Sequence, residues 1–287
     1  MISIITDSGS DITQDEAKKL NIKVLPICTT IDGKEYLDGI DLSHKEFYDL
    51  LESSKSFPKT TQVNVYKYQE AFREEIEKGN TVLCITIGSK LSGCYQSANI
   101  AMSSFSDKVF IIDSNNVSVG ERNVVLLALS LINNGLTDIN ELVKKINEEI
   151  KDLCILASLD TLDYLQKGGR ISKSKALLGN LFMIKPVVSV IDGKVELIGK
   201  AKGYKNAHNL LKKFVNDMGG IDFSRPLSLG YSGNDDTLLK KYIESSKELY
   251  EGNEEKLHTY SVGVAIGSHV GSGAIVISFF KKRVKHE

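Results

Sequence analysis

The sequence predicts an α/β protein built as two α/β domains, and three observations carry that expectation. Short β-branched runs at 2–5, 82–87, 109–112, 153–159 and 274–280 alternate with amphipathic helical stretches. Helix-start signals recur between those runs, as Thr13 with Glu16 and again as Ser43 with Glu46. The 287 residues suffice for two modest domains, each able to bury a core without disulfides.

Taken in order, residues 2–5 make the first strand, and the Thr13–Glu16 capping box starts a helix through Leu20. Residues 23–30 read as a second strand that Asp32-Gly33 folds back as a hairpin. The Ser43–Glu46 box leads a helix ending near Glu52, and Asn64 caps a helix over 66–78 closed by Gly79-Asn80. The run 82–87, a helix opening at Ser92 and the run 109–112 form a βαβ unit. Helices are expected over 125–133 and 139–150. The run 153–159 opens a second domain, dividing the chain into 1–152 and 153–287. Residues 184–198 hold another Asp-Gly hairpin, at Asp192-Gly193. The runs 227–231 and 258–264, a helix over 236–250 and the strand 274–280 complete the alternation. No low-complexity linker separates the halves, so their interface is expected to be tight, a place where ligand sites concentrate.

Bulk properties exclude several classes. Lys plus Arg number 36 against 37 Asp plus Glu, so no basic excess points to nucleic acid. Cys28, Cys84, Cys94 and Cys154 lack C-x-x-C spacing, which argues against zinc and redox motifs and for reduced thiols. The N-terminus reads as a strand rather than a signal peptide, and no apolar stretch has membrane-spanning length. A soluble cytoplasmic protein without metal is expected.

The most informative segment is 86–98, TIGSKLSGCYQSA, an apolar strand running through a small-residue turn into a helix. There the Ser92 hydroxyl meets free N–H groups at a helix start, a setting that favours a carboxylate or phosphate. On its own such a serine is more often a plain N-cap. Thr60 and Thr61 in Pro58-Lys-Thr-Thr-Gln62 offer two further hydroxyls before the Asn64 helix. His269, in a glycine-rich turn, stands apart from His44, His208, His258 and His286, which read as surface residues. Asp7 and Asp113 end strands where α/β ligands bind, and each reads as a turn cap. Arg170 after Gly168-Gly169 suits either a helix-end charge or a phosphate ligand, and the Lys200–Lys205 cluster a solvated face.

Six segments in order resemble the DegV family, which includes the FakB fatty-acid-binding proteins of bacteria. They are Thr6-Asp7-Ser8, Pro58-Lys-Thr-Thr-Gln62, Leu91-Ser-Gly-Cys-Tyr-Gln-Ser-Ala98, Asp113-Ser114, Leu165-Gln-Lys-Gly-Gly-Arg-Ile-Ser172 and Gly267-Ser-His-Val-Gly-Ser-Gly273. The resemblance runs end to end. It implies a lipid tunnel between two α/β domains, holding a long-chain fatty acid as ligand with no cofactor. It places Thr60, Ser92 and His269 on the carboxylate, helped by the N–H groups of Thr61 and Gly93. It implies no catalytic residue of the chain's own. A separate FakA-like fatty acid kinase phosphorylates the bound acid, which then enters phospholipid synthesis, and membrane contact is at most transient. Arg170 matches a family arginine tied to the kinase step. Lys202 stands where a second arginine is usual, and lysine lacks the planar fork. Gly88 and Val63 replace a usual serine and proline.

A serine hydrolase using Ser92 and His269 with Asp7 or Asp113 is the alternative from another class, but no G-x-S-x-G elbow is present. A nucleotide-binding kinase finds no G-x-x-x-x-G-K-[ST] loop.

Overall fold

The computed structural model describes residues 1–105, 107–172 and 183–283. In chain order it runs β1 (Ile2–Asp7), α1 (Gln14–Leu20), β2 (Lys23–Leu25), β3 (Cys28–Ile31), β4 (Lys34–Leu37), α2 (His44–Ser53), β5 (Lys59–Thr61) and α3 (Val65–Glu77). Then come β6 (Thr81–Thr86), α4 (Cys94–Met102), β7 (Val109–Asp113), α5 (Val119–Asn133), α6 (Ile139–Glu149), β8 (Leu153–Ser158) and α7 (Asp163–Lys167). The order ends with β9 (Ile184–Ile191), β10 (Lys194–Lys202), α8 (Gly203–Asp217), β11 (Ser228–Tyr231), α9 (Thr237–Ser245), β12 (Thr259–Ser261), α10 (Val264–Val270) and β13 (Ile275–Phe280).

Three sheets organise these elements. A parallel sheet has the order β2-β1-β6-β7, and a mixed six-stranded sheet has the order β10-β9-β8-β13-β11-β12. A small antiparallel sheet, β4-β3-β5, hangs beside them. The expected strand over 23–30 is therefore two strands in two sheets. Pro26 lies at the break, where it cannot donate to a ladder. Both Asp-Gly hairpins form, with positive φ at Asp32, Gly33, Asp192 and Gly193 as their tight turns require.

Caps explain most helix starts. Ser43 and Glu46 make both bonds of a capping box, and Asn64 accepts from Lys67 N–H. Thr13 accepts from Glu16 N–H at 3.2 Å, so that pair makes the forward half of the box. Helix α5 starts at Val119, six residues before the expected 125, because its first two turns are buried against both large sheets rather than amphipathic. Within it Asn123 donates to the Ser278 carbonyl at 2.9 Å and accepts from Ser228 Oγ at 2.6 Å. The expected helix over 236–250 stops at Ser245, and a 3-10 turn, Lys247–Leu249, continues the segment.

One apolar cluster joins residues from both halves of the chain, including Ile5, Ile87 and Leu91 with Ile155, Val188, Ala265 and Val276. His208 belongs to the interior, 4% exposed beside Tyr242, and His44 is half-buried, whereas His258 is exposed as expected. His286 lies outside the described residues. Cys84 and Cys94 are buried free thiols, and Cys28 and Cys154 are half-buried free thiols.

Four buried carboxyls lie under the strand ends. Burial pushes Asp7 and Asp11 up to about 7 and raises Asp38 and Glu121 as well. An unfolded Asp titrates near 3.9, so between pH 7 and 8 the folded chain binds more protons than the unfolded one. Stability therefore falls as pH rises through that window. His44, His208 and His269, all lowered by burial, act in the opposite sense below about pH 6.5. Thermal melts of ligand-free protein should gain roughly 2 °C from pH 8 to pH 7. A flat or opposite trend would rule out the buried-acid assignment.

Candidate functional site

A cavity of about 300 Å³ opens inside the shared apolar cluster, at the small end of the range for small-molecule sites. Ile27, Ile87 and Leu91 wall it from the first half of the chain. Ile155, Ala157, Val188 and Val276 wall it from the second. Two of its hydroxyls are committed elsewhere. Ser118 Oγ donates to Asp11 at 2.5 Å, and Ser189 Oγ to the Ile155 carbonyl at 2.7 Å.

The remaining polar groups form one linked patch. Thr60 and Thr61 arrive on β5, held against β3 by the Thr29–Thr60 and Cys28–Thr61 pairings. His269 comes from the last turn of α10, so it lies on a helix rather than in the expected glycine-rich turn. The backbone turns over only at Gly271, where φ is +69°. Nε2 of His269 is 2.8 Å from Thr60 Oγ1. Burial, with the Arg170 charge nearby, lowers His269 to about 4, so its ring is neutral at physiological pH. Its Nδ1 is buried without a partner among the described residues and faces the bare Cα of Gly168, where a Cβ would sit 2.2 Å away. A lone pair tolerates that position better than an N–H, which favours the Nε2–H tautomer. Nε2–H then donates to Thr60, and the Thr60 hydroxyl is left to donate into the cavity.

Ser92 lies one residue outside its expected place. Helix α4 begins at Cys94 with Gly93 as its cap, and Ser92 Oγ reaches Cys94 N–H at a long 3.3 Å. Ser92 is thus a loop residue beside the helix start rather than its N-cap. Gly93 carries the side chain of Gln62 against its Cα, where a Cβ would lie 1.7 Å from Gln62 Oε1. Gln62 Nε2 continues to Ser97 Oγ at 3.0 Å. Val63, where the family pattern has proline, is 4% exposed and packs in the shared apolar cluster.

Arg170 follows α7, half-buried. Its Nε donates to the Leu91 carbonyl at 3.1 Å and its Nη1 to the Gly168 carbonyl at 2.5 Å. Burial lowers its pKa from the usual value. Leu91, Ser92, Gly93 and Arg170 also line an outer groove with Lys90 and Lys194, so the arginine stands between cavity and surface. Thr60, Thr61, Ser92, Gly93, Arg170 and His269 therefore meet at one cavity. Lys202 does not join them: exposed at the end of β10, it lies outside both linings.

A hydrolytic triad is not assembled. His269 pairs with Thr60 rather than Ser92. Asp7 accepts from Gly9 and Ile87 N–H, and Asp113 from Ser89 and Asn115 N–H, the turn-capping roles expected of them.

A family model described as "Uncharacterised protein, DegV family" matches residues 1–282. The chain belongs to the DegV family. A DegV domain-containing protein of Caldanaerobacter subterraneus subsp. tengcongensis is 33% identical over 285 residues, spanning 98% of this chain and 99% of that one. Among solved DegV structures, one from Thermus thermophilus described for fatty acid binding has a TM-score of 0.86 at 28% identity, covering 97% of this chain and 99% of its own. A stearic-acid-binding protein from Eubacterium ventriosum gives 0.84 at 25% identity, covering 98% and 99%.

Sequence reasoning missed Gln62 and Ser118 in the lining. Ser118 had a signal, the Ser-x-x-Glu spacing to Glu121 that marks a helix start. In the fold its hydroxyl serves Asp11 instead, with φ at +58°.

Proposed function

We propose that this DegV protein binds a long-chain fatty acid in the cavity and presents its carboxylate to a separate FakA-like fatty acid kinase, which makes the acyl phosphate for phospholipid synthesis. The observation that carries the reading is an apolar cavity whose uncommitted polar groups gather in one patch, around Thr60, Ser92 and His269. An acyl chain needs apolar walls and one polar anchor. Burying methylenes contributes roughly 0.8 kcal/mol each, on the order of 10 kcal/mol gross for a long chain, which lost motion and desolvation reduce. Fatty acids bound by the Thermus and Eubacterium relatives support the same ligand class here.

In this reading the Thr60 and Ser92 hydroxyls and the Thr61 and Gly93 N–H groups hold the carboxylate, and neutral His269 orients Thr60. Arg170 and Lys202 face the kinase. The chain is a cytoplasmic lipid-carrying subunit with no catalytic residue, cofactor or metal of its own, and its two domains divide at 152/153. Protein purified from a bacterial host should release a long-chain fatty acid on denaturation, detected by mass spectrometry. Protein that is lipid-free and also takes up no added fatty acid overturns the reading.

A further inference from the structure

Helix α10 is short, and isolated helices of its length are unstable in water. Its position is therefore set by what grips it. Its last turn meets Thr60 through His269. Its first turn is gripped by acids from the other half of the chain. Val264 and Ala265 N–H donate to the two oxygens of Asp38 at 3.1 and 3.0 Å, and Gly263 N–H donates to Asp11 at 2.8 Å. Between the ends, Gly267 lays its bare Cα on α2, where a Cβ would sit 2.5 Å from Phe47 and 2.8 Å from the Tyr48 hydroxyl.

Asp38 directly follows β4, and Thr60 lies on β5; both strands flank β3 in the small sheet. One sheet thus holds α10 at both ends. Asp38 is 2% exposed, and its own N–H donates to the carbonyl of cavity-lining Ile27 at 3.1 Å. A helix rises about 1.5 Å per residue, whereas hydrogen-bond distances tolerate only about 0.5 Å. A slide of α10 by less than one residue would separate His269 from Thr60.

We propose that Asp38 is a positioning residue for the carboxylate anchor: by fixing the first turn of α10 to the sheet that carries Thr60, it sets His269 on the Thr60 hydroxyl. This rests on the fatty-acid reading of the cavity. Asp38 touches no ligand and acts through His269. Asp11 holds the adjoining Gly263, His44 lies close to Gly263 and Asp38, and the Tyr48 hydroxyl donates to the Val262 carbonyl at 3.0 Å just before the turn.

The test combines affinity with a direct signal from the histidine. Asp38→Asn keeps the shape but turns an NH2 toward one helix N–H. Folded Asp38→Asn should bind a fluorescent fatty acid about tenfold more weakly and shift the His269 imidazole nitrogen resonances. In a Thr60→Val background the same change should cost less than about twofold more, because the pair acts as one unit. Val264→Pro supplies a second variant. It removes one donor to Asp38 at the first helical position, where proline is favoured, and Gly263 before it is already extended (φ −75°, ψ −179°). It should reproduce both effects at smaller size, and it decides the matter if Asp38→Asn does not fold. Wild-type-like affinity and unshifted His269 resonances in the folded variant overturn the proposal, as do independent, multiplying losses in the double variant. If wild-type protein takes up no fatty acid, the cavity reading fails, and the His269 resonances alone still decide whether Asp38 sets the ring.

Discussion

Thr60→Val should weaken fatty-acid binding by roughly tenfold to a hundredfold, the cost of a lost hydrogen-bond donor to a buried carboxylate. Valine matches threonine in shape and strands favour it, so the fold should persist, with the melting temperature lowered by a few degrees through the unpaired imidazole N–H. The size of the effect follows from the patch. In the Nε2–H tautomer neutral His269 donates to Thr60, which leaves the Thr60 proton for the ligand. Removing the hydroxyl thus removes the donor and leaves the imidazole N–H without its acceptor. Thr60→Ser should restore most of the affinity. Ser92→Ala should weaken binding by a smaller factor. It should also cost little stability, because Ser92 is not the cap of α4 and its bond to Cys94 N–H is a long 3.3 Å. Titration with a fluorescent fatty acid, with melting curves on the same samples, checks both. Unchanged affinity in both variants removes these residues from the site.

The features that proved legible in the sequence are those set by local chemistry. The Asp-Gly turns, the Ser43 box and the Asn64 cap fix backbone geometry through neighbours in sequence, and they appear where expected. The misread features were set by distant partners. Pro26 divides one apolar run between two sheets whose pairings involve residues up to 79 positions away, such as Ile5 with Cys84. The first turns of α5 are buried on several sides and so carry no helical stripe. His269 sits among glycines that read as a turn, yet Gly267 is there to let α10 lie on Phe47 and Tyr48. His208 looks polar in sequence and is buried because α8 turns it toward Tyr242. For the site, the hydroxyls and the histidine were recognisable by type and motif. Asp38 was not, because its role depends on an N–H pair 226 and 227 residues away.

Arg170→Ala should separate lipid binding from phosphoryl transfer. With a cognate kinase and ATP, acyl-phosphate formation should fall roughly a hundredfold or more, the usual scale for losing a buried charged contact at a partner surface. Fatty-acid affinity should change only several-fold. The side chain spans the wall between cavity and outer groove, and the carbonyls of Leu91 and Gly168 hold it in place. Two carbonyls orient a guanidinium without neutralising it. Its charge therefore stays available to the phosphoryl group or to an acidic kinase surface. Arg170→Lys should not rescue transfer, since an ammonium cannot make the same pair of fixed bonds and still direct a donor outward. Lys202 stands exposed and outside both linings, so Lys202→Arg should preserve or raise the transfer rate without altering lipid affinity. Paired binding and kinase assays on the same preparations give the answer. If folded Arg170→Ala loses binding by the same factor as transfer, the arginine is part of the carboxylate anchor, and the kinase-facing role assigned to it is wrong.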